Sequence, residues 1–271
     1  MNTFTELVTL NCCRLAVAYG YPDDLQTHWR FGDGQGDGVC YSGRITPPEI
    51  SRLIEGMMAR GRLDARTARV LRRLANAGRL DITLRYTGRY THSGCTDIII
   101  DDVPGYALGL QERFEVALRE DFNSLCDDAE AEGYGLLDAR WPSPYHPGGD
   151  SQVPLFCRRT AHLTVQADIA GYDEAESLFI DDDLAYGSLI LPALQQDMRF
   201  PQVKLSVTVT ETGETLSSRY CDLFFRAGQP LREVFSGIRE DLKALFAGAR
   251  HAMTARRKTD HEIRLSALPG E

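Results

Sequence analysis

The sequence predicts an α+β fold, in which antiparallel sheets carry helices on one face. The main observation is a hairpin pattern that occurs twice. Residues Leu80 to Ile100 read as a strand, a turn at Thr87-Gly88 and a second strand, and residues Leu205 to Phe225 align with them without a gap. The matched positions are Leu80, Thr83, Thr87, Gly88, Ser93 and Asp97 with Leu205, Thr208, Thr212, Gly213, Ser218 and Asp222.

Each hairpin is followed by a helical pattern that contains Arg-Glu-Asp, at 119–121 and again at 239–241. An internal repeat of this kind predicts two similar halves with pseudo-two-fold symmetry, and a chance likeness between two amphipathic units is the alternative. Residues 141–154 contain four prolines and two adjacent glycines, which exclude a helix or a central strand. We therefore expect an N-terminal half at 1–140, a linker at 141–154 and a C-terminal half at 155–271.

The N-terminal half begins with a predicted helix from Phe4 to Tyr19. Residues 28–45 then alternate apolar and polar side chains around a run of glycines, which predicts a hairpin with a glycine-rich tip. Thr46 before two prolines and Asp64 before Ala65 are typical N-caps, so two helices should follow. After the first hairpin, we expect a long helix from Leu108 to Glu132. Its buried stripe should comprise Phe114, Leu118, Phe122 and Leu125. Its outer face should be acidic, with Glu112, Glu115, Glu120, Asp121, Asp127, Asp128, Glu130 and Glu132.

The C-terminal half begins with a predicted strand from His162 to Ile169. An acidic loop at 173–183 and a short helix from Ser188 to Asp197 are expected before the second hairpin. A last helix should run from Leu231 to about Met253. Each half thus combines strands, a helical insert, a hairpin and a closing helix.

Charge is unevenly distributed along the chain. The net charge is -9, which argues against a nucleic-acid interface over the whole surface and favours a basic partner. The segment Arg52 to Arg79 is the exception, with eight arginines. It predicts either a solvated helix face paired with acidic neighbours or a nucleic-acid contact.

The seven cysteines include no C-x-x-C pair, so they suggest reduced side chains used as small apolar residues. The N-terminal residues lack the order of a signal peptide, and no apolar run approaches the length of a membrane span. We expect a cytoplasmic protein with no metal and no cofactor.

Two polar stretches are candidates for function. Asp33 to Gly38 resembles the beginning of a calcium loop, but Arg44 occupies the place of the bidentate carboxylate. The same loop is interpreted as a recognition tip, with Gln35 and Asp37 presented beside Tyr41. The second stretch contains Tyr90, His92 and Cys95.

A cysteine hydrolase needs a thiolate within hydrogen-bond reach of an imidazole. His92 and Cys95 are three residues apart on a predicted strand, so they should point to opposite faces unless a bulge intervenes. Cys40 from a neighbouring strand is the other candidate nucleophile. Because the pattern also suits a packing histidine, an enzyme is the alternative hypothesis and not the first one.

The stretches Gln35 to Gly43 and Arg89 to Cys95 resemble two motifs that recur, in this order, in uncharacterised proteins of bacterial plasmids and phages. The resemblance covers about the first third of the chain. It implies a mobile element inside a bacterium, where small acidic proteins often resemble anti-defence factors, such as anti-CRISPR or anti-restriction proteins. The resemblance thus implies where the protein acts, but it does not imply a reaction that the protein catalyses.

The leading hypothesis is a non-catalytic inhibitor that docks acidic surfaces on a bacterial defence complex, such as a CRISPR-Cas or restriction complex. The alternatives are a small hydrolase between the Gln35 loop and His92, and a nucleic-acid-binding regulator that uses Arg52 to Arg79. The predicted binding residues are Gln35, Asp37, Tyr41, Tyr90, His92, Glu120, Asp127, Asp128, Asp181, Asp182 and Asp183.

Overall fold

The computed structural model describes residues 3–31, 36–88, 90–101, 104–105, 108–142, 154–170 and 186–266. Helices and antiparallel sheets are both present, which confirms the α+β class. The described residues divide into two compact units. Unit 1 comprises residues 3–136 and 186–190, and unit 2 comprises the described residues from 137 to 170 and from 191 to 266.

Unit 1 is built around a four-stranded antiparallel sheet in the order β1-β2-β3-β4. Its elements are α1 (Thr3–Tyr19), β1 (Gln26–Arg30), β2 (Gly38–Ile45), α2 (Pro47–Ala59), α3 (Ala65–Asn76), β3 (Asp81–Tyr86), β4 (Thr96–Asp101) and most of α4 (Leu108–Arg140). The hairpin that was predicted around the glycine run is confirmed by the pairing of β1 with β2. Its tip, residues 32–35, lies outside the described residues.

Unit 2 contains a second four-stranded antiparallel sheet, in the order β5-β6-β8-β9, and a short pair formed by β7 and β10. Its elements are β5 (Phe156–Arg159), β6 (Leu163–Ile169), α5 (Leu191–Gln196), β7 (Met198–Arg199), β8 (Gln202–Val209), β9 (Thr215–Asp222), β10 (Phe225–Arg226), α6 (Leu231–Gly237) and α7 (Arg239–Ser266). Its core joins the inner face of the sheet to α6 and α7, through residues such as Val207, Val234 and Leu245.

The predicted helix starts are confirmed by their hydrogen bonds. The backbone N–H of Thr46 donates to the Glu49 carboxylate at 2.6 Å, as in a capping box. The Asp64 carboxylate accepts from the backbone N–H groups of Arg66 and Thr67, both at 2.9 Å. These caps satisfy donors that a helix leaves unpaired in its first turn.

Helix α4 extends to Arg140, well past its predicted end at Glu132. Gly133 and Gly135 lower the helix propensity there, but burial of Leu136 and Ala139 compensates for them. The predicted apolar stripe of α4 is confirmed, since Phe114, Leu118, Phe122 and Leu125 are all buried.

The Asp121 side chain is buried, so its predicted place on the acidic outer face of α4 is wrong. Its carboxylate has no exposed surface and accepts hydrogen bonds from the Nε and Nη2 atoms of Arg60, each at 2.8 Å. Arg60 follows the last turn of α2 and also donates to the backbone oxygen of Tyr19 at 2.8 Å. This buried ion pair therefore joins α2 to α4 inside unit 1.

The two hairpins differ in pairing despite their similar sequences. Thr83 pairs with Ile99, whereas its counterpart Thr208 pairs with Thr215. The turn predicted at Thr87-Gly88 belongs to a longer connection, because residues 87–95 join β3 to β4 and end in a 3₁₀ turn at Ser93–Cys95. The gap-free likeness between the two stretches thus does not extend to strand register.

Some predictions fall outside the described residues. The predicted linker at 141–154 is described only at its ends, so the proposed domain boundary stays a prediction. The acidic loop at 173–183, with Asp181, Asp182 and Asp183, is not described. Within the described ranges, no helix is both long enough and apolar enough to cross a bilayer.

Candidate binding site

The two polar stretches meet in space through the backbone of Gly36. Both the backbone N–H and the hydroxyl of Thr91 donate to the Gly36 carbonyl oxygen, at 3.0 Å each. Gly36 has φ +83, and a Cβ atom there would lie 2.2 Å from the Tyr90 ring. Only glycine allows this close approach without strain.

Helix α4 supplies the third side of the site. The Tyr134 hydroxyl donates to the Asp37 carboxylate at 3.1 Å. A Cβ atom on Gly38 would lie 2.7 Å from the Glu130 carboxylate, so Glu130 reaches the base of β2. We call this group the acidic–tyrosine cluster, and its members are Asp37, Tyr90, His92, Asp127, Glu130 and Tyr134.

Electrostatic repulsion is built into the cluster. The pKa of the Glu130 carboxyl is raised, first by partial burial and then by the charges of Asp127 and Asp37, while His92 opposes the shift. Like charges held close together favour the neutral form of an acid. The cluster would therefore be stabilised by any cation that approached it.

Aromatic side chains pack against Tyr134, a member of the cluster. Trp29 stacks on Phe31 with ring centroids 5.1 Å apart, and Phe31 contacts Tyr134 at 5.0 Å. Gly133 makes room for this arrangement, because a Cβ atom there would lie 2.1 Å from the Phe31 ring. Tyr90 and Tyr134 remain 42% and 38% exposed, so the site presents two tyrosines to solvent.

Tyr134 was not predicted from the sequence as a site residue. The only signal for it was a tyrosine between Gly133 and Gly135 at the end of an otherwise strong helical pattern. Its role depends on contacts with Asp37 and Phe31, which are remote in sequence.

Several predicted binding residues behave differently in the structure. Tyr41 is fully buried, and its hydroxyl donates to the Cys12 backbone oxygen at 3.1 Å, so its assignment to a recognition surface is wrong. Gln35 lies outside the described residues. Asp128 is exposed and accepts from the Tyr19 hydroxyl. Glu120 lies nearer the N-terminal end of α4, where its Oε2 atom is 3.6 Å from Nη1 of Arg62.

The prediction that His92 and Cys95 point to opposite faces is wrong, because they lie in a 3₁₀ turn and not on a strand. His92 Nε2 is 3.4 Å from Cys95 Sγ. Residues three apart in a 3₁₀ turn lie on the same side, which explains the contact.

This geometry is unsuited to thiol activation. The backbone N–H of Gly94 donates to His92 Nδ1 at 3.2 Å, so a neutral imidazole carries its proton on Nε2, facing the sulfur. A general base would need Nε2 unprotonated in that position. Cys40 is fully buried, and burial raises the pKa of its thiol to about 12. Neither thiol is arranged as a ready nucleophile.

The arginine-rich segment is partly neutralised within unit 1. Arg60 is bound to Asp121, and Arg72 lies 3.2 Å from Glu55. On α3, Arg66, Arg69 and Arg73 are exposed and meet no carboxylate among the described residues. The solvated-face interpretation therefore applies to part of the segment, and three arginines of α3 remain available.

Metal chemistry has no evident centre here. Over the part of the chain that the structure describes, no three His, Cys, Asp or Glu side chains converge as a metal site requires. No family model, curated protein or solved structure matches the chain. Its function must consequently be argued from the geometry of its own residues.

Proposed function

We propose that the protein is a non-catalytic binding protein that docks the acidic–tyrosine cluster on a basic surface of a partner protein. The observation that carries this proposal is the convergence of Asp37 and Glu130 with two exposed tyrosines, Tyr90 and Tyr134. A partner's Arg or Lys side chain would relieve the repulsion. Tyrosine is also among the residues that contribute most to protein interfaces.

The proposed partner is a bacterial defence complex, encountered in the cytoplasm of a bacterial host. The resemblance of the two polar stretches to proteins of plasmids and phages supports that choice. Complexes that hold nucleic acid expose basic channels, and an acidic surface complements them in charge. Asp128, the exposed neighbour of Asp127 on α4, adds a further negative charge beside the cluster.

A capture experiment tests the proposal. The tagged full-length protein is incubated with a lysate from bacteria rich in defence systems, and retained proteins are identified by mass spectrometry. We expect a stoichiometric defence complex on the wild-type protein. The double variant Asp127→Lys/Glu130→Lys should retain at least tenfold less of it, because charge reversal replaces attraction by repulsion.

A matched control is Glu211→Lys, which reverses an exposed acid in the turn between β8 and β9. It should retain the partner, and thermal melting should show that all variants are folded. Equal capture by the double variant and the wild-type protein would contradict docking through the cluster. Capture of no protein at all would contradict the proposed function as a whole.

A second candidate function is nucleic-acid binding through α3. It is favoured by Arg66, Arg69 and Arg73, which share the exposed side of the helix opposite buried Leu71 and Leu74. In that case the captured material would be nucleic acid that is lost on nuclease treatment and at high salt.

A further inference from the structure

Unit 2 contains a concave apolar groove that none of the functions above uses. Its volume is about 580 Å³, within the range of roughly 300–1,000 Å³ that small-molecule sites occupy. Its apolar lining includes Phe156, Val165, Ala167, Leu205, Phe235 and Phe246. All of these residues belong to the sheet or to the two helices of unit 2.

The groove follows from the way the sheet is covered. Phe156 pairs with Ala167, and Ala167 pairs with Leu205, so these residues form a row across one face of β5, β6 and β8. Helix α7 packs on that face mainly at β9 and β8. The side of the face nearer to β5 is therefore left as the floor of a groove, and α6 and α7 form its wall.

Two phenylalanines in the groove retain unusual exposure for apolar side chains. Phe156 is 38% exposed and Phe246 is 41% exposed, although Phe156 also contacts Phe235 with ring centroids 5.6 Å apart. Apolar surface gathered in a concavity is a common feature of ligand sites.

Three arginines, Arg158, Arg232 and Arg239, line the same groove. None of them meets a carboxylate among the described residues. The acids nearest in sequence to Arg239 are engaged elsewhere, since Asp241 binds Arg219 at 2.6 Å and Glu240 binds Lys243 at 2.6 Å. The groove thus combines an apolar interior with a positive lining.

We propose that this groove binds an amphipathic organic anion, such as a fatty acid, with its chain on the phenylalanines and its carboxylate on the arginines. An aliphatic chain buries its surface against the apolar floor. The guanidinium groups form charge-assisted hydrogen bonds with a carboxylate. The proposal concerns unit 2 alone and does not depend on the acidic–tyrosine cluster.

Isothermal titration of the full-length protein with dodecanoate tests the site. We expect saturable binding to one site, and at least tenfold weaker binding of dodecanol, which has the chain without the charge. The variant Arg158→Gln/Arg239→Gln should weaken dodecanoate binding at least tenfold. Phe156→Ser/Phe246→Ser should weaken the binding of both dodecanoate and dodecanol, because it removes the apolar contacts.

Two controls keep the test specific. Arg250→Gln removes an exposed arginine of α7 that does not line the groove, and Phe224→Ser removes a phenylalanine of unit 2 that is 53% exposed and also lies outside it. Both should bind dodecanoate like the wild-type protein. The proposal is overturned if dodecanoate gives no saturable heat, if dodecanol binds equally well, or if the controls lose binding to the same extent.

Discussion

The two hairpins have similar sequences but different connections. In unit 2, β8 and β9 are joined by a tight turn at residues 210–214. In unit 1, β3 and β4 are joined by residues 87–95, which include Tyr90, Thr91 and His92. The longer connection contacts Gly36 and contributes two members of the acidic–tyrosine cluster.

This difference places two members of the cluster, Tyr90 and His92, in the connection between β3 and β4 and none in those paired strands. Strands must satisfy their backbone hydrogen bonds with neighbours, whereas a connection is free to present side chains. The tight turn of unit 2 has no equivalent of His92, and the corresponding sequence forms part of β9.

The largest expected effect concerns the Arg-Glu-Asp motif that follows each hairpin. Asp121 is fully buried against Arg60, while Asp241 is 28% exposed against Arg219. Arg60→Met should lower the free energy of unfolding by about 3 kcal/mol, because it leaves a buried carboxylate without its partner. Arg219→Met should cost less than about 1 kcal/mol, as is usual for exposed pairs.

Thermal or urea unfolding of the two variants measures this difference. Similar losses in both would contradict the conclusion that the repeated motif occupies different environments in the two units.

A medium effect is expected at the glycines that the two hairpins share. Gly88 has φ +78 and Gly213 has φ +72, and a Cβ atom on either would meet nothing within 4 Å. Alanine at each position should therefore cost about 1 kcal/mol through backbone strain alone. Equal losses, measured by thermal melting, would show that the local turn conformation is common to both hairpins.

Gly109→Ala is the matched control for these substitutions. Gly109 lies in α4, has no positive φ and also has open space around it. Alanine there should leave stability unchanged or raise it, because alanine favours a helix. A loss at Gly109 as large as at Gly88 would contradict the strain argument.

The smallest expected change in stability concerns Glu130, a residue of unit 1 that lies near the like charges of Asp127 and Asp37. Burial and then the charges of Asp127 and Asp37 raise its folded-state pKa above the ordinary value of 4.5, so between these two pKa values the folded protein holds a proton that the unfolded chain has released. This contribution to stability is present below pH 4.5 and is lost as the pH rises through the folded-state pKa. Glu130→Gln removes the repulsion and should stabilise the protein at pH 7 by about 0.5 kcal/mol.

Melting temperatures at pH 7 and pH 4 check the sign of this effect. The gain should vanish at pH 4, where the folded protein already carries the proton. Glu211→Gln, at an exposed position in the turn of unit 2, is the control for loss of a surface carboxylate. A loss of stability in Glu130→Gln at pH 7 would contradict the repulsive cluster.

Local sequence signals predicted much of the fold. The caps at Thr46 and Asp64, the hairpin at β1 and β2 and the apolar stripe of α4 depend on nearby residues, and all are confirmed. The end of α4 was missed because packing of Gly133 against Phe31 is a contact between residues remote in sequence.

The site was only partly predictable for the same reason. Asp37, Tyr90 and His92 stood out as polar residues in unusual stretches, but their meeting depends on the hydrogen bonds between Thr91 and Gly36. Tyr41 was assigned to the surface because strand alternation does not tell which face is covered. In the structure, the face that carries Tyr41 is buried.

The distribution of the cysteines has a practical consequence for labelling. All seven are free, and Cys157 on β5 is the one that is exposed. Burial raises the pKa of Cys12, Cys40 and Cys221 to about 12, which keeps their reactive thiolates scarce at neutral pH. Successive residues of a strand point to opposite faces. A maleimide dye on Cys157 would therefore lie on the face of the sheet opposite to the groove that Phe156 and Arg158 line. The wild-type chain thus offers a fluorescent reporter position beside the groove without blocking it.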